Sequence, residues 1–147
     1  MGFETFSTIN FEVIVTLLIA VGLGALVGFE RELKHRPAGL RTHMLVSLGA
    51  AIFAIVSLSF DVEPARIAAG VVAGIGFLGA GSIIAHKGHV RGITSAATLW
   101  VVAAIGLTAG LGEYVIAIIS AVFVFAILQL RRLEKKFPGT SERNYEL

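Results

Sequence analysis

The chain has 147 residues, 56% of them hydrophobic and only 15% charged, with a mean hydropathy of +0.86. Soluble domains carry roughly 25% charged residues, so the composition excludes an ordinary water-soluble domain and points to one membrane-embedded domain. Cysteine is absent, which excludes disulfides, thiolate metal sites and cysteine nucleophiles.

The N-terminal ten residues form a short, mildly acidic tail containing Glu4. They hold no Lys or Arg, so the first apolar run reads as a retained helix and not as a secretory signal. That helix is expected over residues 11–29, close to the roughly 20 residues that cross a bilayer. Asn10 is placed to cap it. Glu12 then lies in the first turn, where the helix dipole favours an acid. An ion-accessible carboxylate at the membrane edge is the alternative reading of Glu12.

The densest charged run follows, over residues 30–43, with Arg31, Lys34, Arg36 and Arg41. Such a run belongs in water or headgroups, and its positive excess assigns it to the cytoplasmic side. The second helix is expected over residues 44–60, ended by Asp61-Val62-Glu63-Pro64. Pro64 suits a first helical turn. The third helix, residues 67–84, carries Gly70, Gly74, Gly76, Gly79 and Gly81. So many glycines call for close packing around a buried central helix, or for a local break. A polar loop over residues 86–94 precedes the fourth helix, residues 95–111, with Thr94 or Ser95 as its cap. The fifth helix is expected over residues 114–130. A basic tail, residues 131–147, completes the chain, with Phe137-Pro138-Gly139 ending any helix there.

The expected fold is therefore all-α: a polytopic bundle of about five transmembrane helices over residues 1–130, plus a cytoplasmic tail. With the first charged loop inside, eleven of the twelve Lys and Arg residues lie inside and only Arg66 lies outside. That asymmetry puts the N-terminus outside and the C-terminus in the cytoplasm. It also accounts for the pI near 9.3 without nucleic acid as a partner, because the cations cluster at segment ends and not along a groove-binding stripe.

Small residues four apart recur as Gly24/Gly28, Gly70/Gly74 and Gly106/Gly110. Each pair opens a flat stripe where another backbone can approach, either within the chain or across a homodimer seam. No internal repeat supports an inverted-repeat transporter. The two cytoplasmic loops lead into helix N-termini, read at Thr42 and Thr94, with Arg36, Arg41, Lys87 and Arg91 nearby. Together they make an anion-favouring patch for a lipid headgroup, a phosphate or an acidic partner residue. The competing reading makes these charges topology anchors. Glu30 needs a cation, for which Arg41 or Arg91 is the expected partner. His35, His43, His86 and His89 lack carboxylate companions, so neither a metal nor a cofactor is expected. Ser95 and Thr98 follow His89 without a nearby acid, so no catalytic set and no enzyme is expected.

Five segments together resemble the MgtC/SapB family of bacterial membrane proteins. They are G-x-x-x-G-x-E-R at residues 24–31 with P-A-G-L-R-T-H at 37–43, G-I-G-F-L-G-A-G-S-I-I at 74–84, and G-x-V-x-G-I-T-S-A-A-T-L-W at 88–100 continued by A-A-I-G-L-x-A-G at 103–110. The resemblance implies a multi-pass inner-membrane protein linked to survival at low magnesium. It further implies an accessory role toward other membrane complexes, ATP synthase among them. By motif it assigns function to Glu30, Arg31, Pro37, Gly39, Arg41, Thr42, Thr94, Ser95 and Trp100. Ile93-Thr94-Ser95 replaces the more usual Leu-Thr-Thr, and the end at Leu147 resembles the short SapB-like members. The alternative function is a small dimeric ion or solute transporter, magnesium-related, with the glycine-rich third helix lining its path.

Overall fold

The computed structural model describes residues 11–60, 64–86 and 89–130. Among them it has five helices and one hairpin: α1 Phe11–Leu33, α2 Leu40–Ser57, α3 Pro64–Gly81, β1 Ile84–His86, β2 His89–Arg91, α4 Ile93–Gly110 and α5 Tyr114–Gln129. The expected Asn10 cap and the basic tail lie outside the described residues.

The bundle carries its polarity reversed relative to a water-soluble one. Its outer faces are apolar, as with Phe77 at 84% and Val115 at 70% exposure, while Thr16, His43, Ser47, Ser95 and Thr98 are buried. Burying hydroxyls and a histidine while leaving phenylalanine outside is stable only where the surrounding solvent is itself apolar. Three helices, α1, α2 and α4, are long and apolar enough to cross a membrane. Two more, Ala65–Gly81 within α3 and Tyr114–Gln129, are apolar but shorter.

The charged run is not one loop. Helix α1 continues through Glu30, Arg31 and Glu32 to Leu33, because Glu30 pairs with Lys34 four residues on, the favourable spacing and order on a helix. His35 then takes a left-handed conformation, φ 49°. The Arg36 N–H donates to Arg31 O at 3.0 Å, the six-to-one bond that closes a helix C-terminus. Helix α2 starts at Leu40, four residues before the expected Met44, with extended Gly39 as its cap. The Leu40 N–H donates to the Glu32 carboxylate at 3.0 Å, so the last turn of one helix caps the first turn of the next.

The second polar segment holds a short antiparallel hairpin pairing Ile84 with Arg91 and Ala85 with Val90. Helix α4 begins at Ile93, two residues before the expected Ser95. Its cap is Gly92, at φ 95°, a left-handed backbone that glycine adopts without penalty. A Cβ there would stand 2.9 Å from the Ser82 carbonyl carbon. Gly92 thus takes the cap expected at Thr94 or Ser95, and the helix start read at Thr42 falls at Leu40 behind Gly39.

Helices α1, α2 and α4 pack against one another, α5 lies on α1 and α4, and α3 rests mainly on α4. A Cβ added at Gly24 would lie 2.7 Å from His43 O, and one at Gly28 2.9 Å from the Leu40 Cα. One at Gly106 would lie 2.8 Å from the Ser47 Cα, and one at Gly110 2.8 Å from the Ala51 Cα. So α2 is held between a glycine stripe of α1 and another of α4. The third stripe differs: Gly70 and Gly74 meet nothing within 4 Å. Helix α3 is unbroken and peripheral in this chain, not central. The centre is occupied by α2, whose Ser47, Ala51 and Ala54 let two backbones approach at once.

Candidate functional site

The polar interior gathers at the end of the bundle where α1 and α5 finish and α2 and α4 begin. Glu30 and Arg31, in the last turn of α1, are only 3% and 4% exposed. The Glu30 carboxylate contacts the Lys34 ammonium and lies 3.8 Å from Arg31 Nη1. Its partners are therefore its own helix's cations, not the Arg41 or Arg91 expected from sequence. Local pairing wins because a three- or four-residue spacing brings the groups together with no loop to order. Lys34 Nζ also donates to Leu128 O at 3.2 Å. That carbonyl belongs to the last turn of α5, where the helix dipole favours a cation.

Arg31 Nη2 donates to Ser95 Oγ at 3.0 Å, joining α1 to α4. One turn along α4, Thr98 Oγ1 stands 3.1 Å from His43 Nε2, joining α4 to α2. Ser47 Oγ donates to Ala20 O at 2.7 Å, joining α2 to α1. Each pair of the three central helices is thus pinned by one buried polar contact. His43 Nδ1 lies 2.8 Å from Gly39 O, so that nitrogen carries the donated proton. The Thr98 hydroxyl hydrogen lies within reach of two acceptors, His43 Nε2 and, at 2.8 Å, Ser95 O. A singly protonated ring needs that hydrogen on Nε2. A doubly protonated ring donates to Thr98 and frees the hydroxyl for Ser95 O.

Of the residues expected to carry function, Glu30, Arg31 and Ser95 are buried together at this end. Gly39 caps α2 beneath the Glu32 carboxylate. Pro37, Arg41, Thr42 and Thr94 are exposed around the same end. Trp100 stands apart, 51% exposed on α4. Lys87 lies outside the described residues, and Arg41 and Arg91 are exposed.

Sequence reasoning did not select Lys34, His43, Ser47 or Thr98 for the site. The available signal was helical spacing: His43 and Ser47 are four apart, Ser95 and Thr98 three apart, each pair opening an apolar helix. Among the described residues, no three His, Cys, Asp or Glu residues gather into a metal set. The buried carboxylate, Glu30, is held by cations, a poor setting for a divalent ion.

Beside the polar end runs an apolar trough of about 630 Å³ between α2 and α3, lined by aliphatic residues, Phe53 and three glycines. An apolar-outside bundle with an ion-paired polar end defines an integral membrane protein of the helical class. The MgtC family profile matches residues 17–137. The chain belongs to the MgtC family.

It is 50% identical over 112 residues to the Brucella abortus protein named MgtC, covering 75% of this chain and 47% of that protein. It is 48% identical over 115 residues to the Salmonella typhimurium protein named MgtC, covering 78% of this chain and 50% of that one. It is 42% identical over 128 residues to the Escherichia coli K12 protein named "Putative magnesium transporter YhiD", covering 80% of this chain and 59% of that protein. The chain thus spans about half the length of the curated relatives it matches. No solved structure matches it.

Proposed function

We propose that the chain is a non-enzymatic accessory protein of the bacterial inner membrane. It crosses that membrane five times, N-terminus outside and C-terminus cytoplasmic, and acts on larger membrane complexes during magnesium limitation or related stress. The ATP synthase is one such complex. The five-pass orientation rests on the cation asymmetry.

The observation that carries the accessory reading is the fate of the buried charges. Buried Glu30 and Arg31 and half-buried Lys34 close on one another and on Ser95 and Leu128 O, while the large trough between α2 and α3 is apolar. An ion path needs polar groups or water along its lining. Charges spent on one another fasten helices instead. What the polar end presents outward is the exposed ring of Pro37, Arg41, Thr42 and Thr94. That ring is the contact surface in this reading.

The transporter reading is favoured by one observation, the name of the Escherichia coli relative. Purified protein in liposomes separates the two. The accessory reading expects no selective flux of Mg²⁺ or H⁺, and co-purification of a larger membrane complex that is lost when Arg41 and Thr94 are replaced. A saturable flux abolished by Glu30→Gln contradicts it.

A further inference from the structure

The α2–α3 trough has a wall on each helix: Leu45, Gly49 and Phe53 on α2, and Gly70, Gly74 and Leu78 on α3. At Gly49, Gly70 and Gly74 an added Cβ would meet nothing within 4 Å, so missing side chains set the width. The volume of about 630 Å³ falls within the range of small-ligand clefts, roughly 300–1,000 Å³. Leu45 to Phe53 spans about 12 Å of helix axis at 1.5 Å per residue. That length matches one leaflet of a hydrocarbon core of about 30 Å. A second transmembrane helix would need a seam through both leaflets.

The rim of the trough is polar at one end. Arg41 precedes Leu45 by one helical turn and Thr42 precedes Val46 by one turn, and both are exposed. Ser82, four residues after Leu78, follows directly on the end of α3. Arg41 makes no ion pair among the described residues. The acid that caps the start of α2, Glu32 of α1, is engaged with the Leu40 N–H. Helical side chains lean toward the N-terminus, so the Arg41 guanidinium reaches away from the trough toward the membrane boundary. A leaflet-deep apolar slot below an unpaired cation is complementary to one kind of molecule: an acyl chain joined to an anionic headgroup.

We propose that this trough seats an acyl chain of an anionic glycerophospholipid, whose phosphate meets Arg41. The site does not depend on the accessory reading, and it stands whether or not the protein moves an ion.

The test is native mass spectrometry of the full chain taken from nanodiscs holding equal phosphatidylglycerol and phosphatidylethanolamine. Retained phosphatidylglycerol should exceed phosphatidylethanolamine about fivefold, the factor one basic residue contributes near an anionic surface. Arg41→Gln should bring that ratio close to one while total retained lipid persists. Filling the trough with Gly70→Leu and Gly74→Leu should lower retention of both lipids. Those positions have free space, so an unfolding temperature no lower than the parent's confirms that the variant folds. Arg66→Gln, beside Ile67 at the far end, should leave the ratio unchanged. The proposal is overturned if the filled variant retains lipid as the parent does. It is equally overturned if selectivity survives Arg41→Gln, or if it follows Arg66. A cross-link between Gly70→Cys copies that excludes lipid would show a second chain in the trough and also overturn it.

Discussion

Helices α1 and α3 both carry glycines four apart, yet the two pairs have opposite fates. Gly24 and Gly28 meet the backbone of α2 so closely that no Cβ fits, while Gly70 and Gly74 face open space. The spacing is the same, and what stands opposite is not. Across from α1 lie Leu40, His43 and Ser47, which bring α2 within reach and fasten it through Ser47 to Ala20 O. Between α3 and α2 a trough opens instead. Small residues permit close approach. A polar pin or a complementary face is what holds it.

The sharpest way to break that contrast is to remove the counter-ion at the pinned end. Glu30→Gln leaves buried Arg31 and half-buried Lys34 beside a neutral group, and loss of one partner of a buried ion pair costs about 3–5 kcal/mol. Thermal unfolding in detergent should show the largest drop of any single variant here, and Glu30→Gln with Lys34→Met should recover part of it. Next comes Gly106→Ala, whose Cβ would stand 2.8 Å from the Ser47 Cα. Overpacking of this kind costs about 1–3 kcal/mol, and the unfolding temperature should fall accordingly. Ser47→Ala removes one buried interhelical hydrogen bond, worth about 0.6 kcal/mol and at most about 1.7 in membrane bundles. The smallest effect has the opposite sign. Gly70→Ala adds a methyl into free space and should raise stability by up to about 1 kcal/mol. A fall as large as that of Gly106→Ala would mean that α3 is packed in the membrane after all.

The helices were legible because long apolar runs leave few alternatives to a membrane helix. Their ends were not. Glu30 and Arg31 look unfit for a membrane helix until their partners within four residues, Glu30–Lys34 above all, are counted as helical contacts. The Gly92 cap was hidden by Thr94 and Ser95, whose side chains have the better capping propensity. The hairpin escaped because three-residue strands show no periodicity. For the site, Arg31 and Ser95 were both read as functional, but their 3.0 Å contact spans 64 residues and no spacing rule reaches that far. His43 lay inside a motif already singled out. Its burial follows only from α1 and α4 packing on either side of α2.

The claim on which the rest depends is that α1 and α4 meet at the polar end within one chain. Because the chain lacks cysteine, Arg31→Cys with Ser95→Cys in native membranes gives a clean two-thiol probe. A short bifunctional thiol reagent should join them within single chains, shifting gel mobility without raising mass to a dimer. Failure to join, or joining only between two chains, would contradict the arrangement described here.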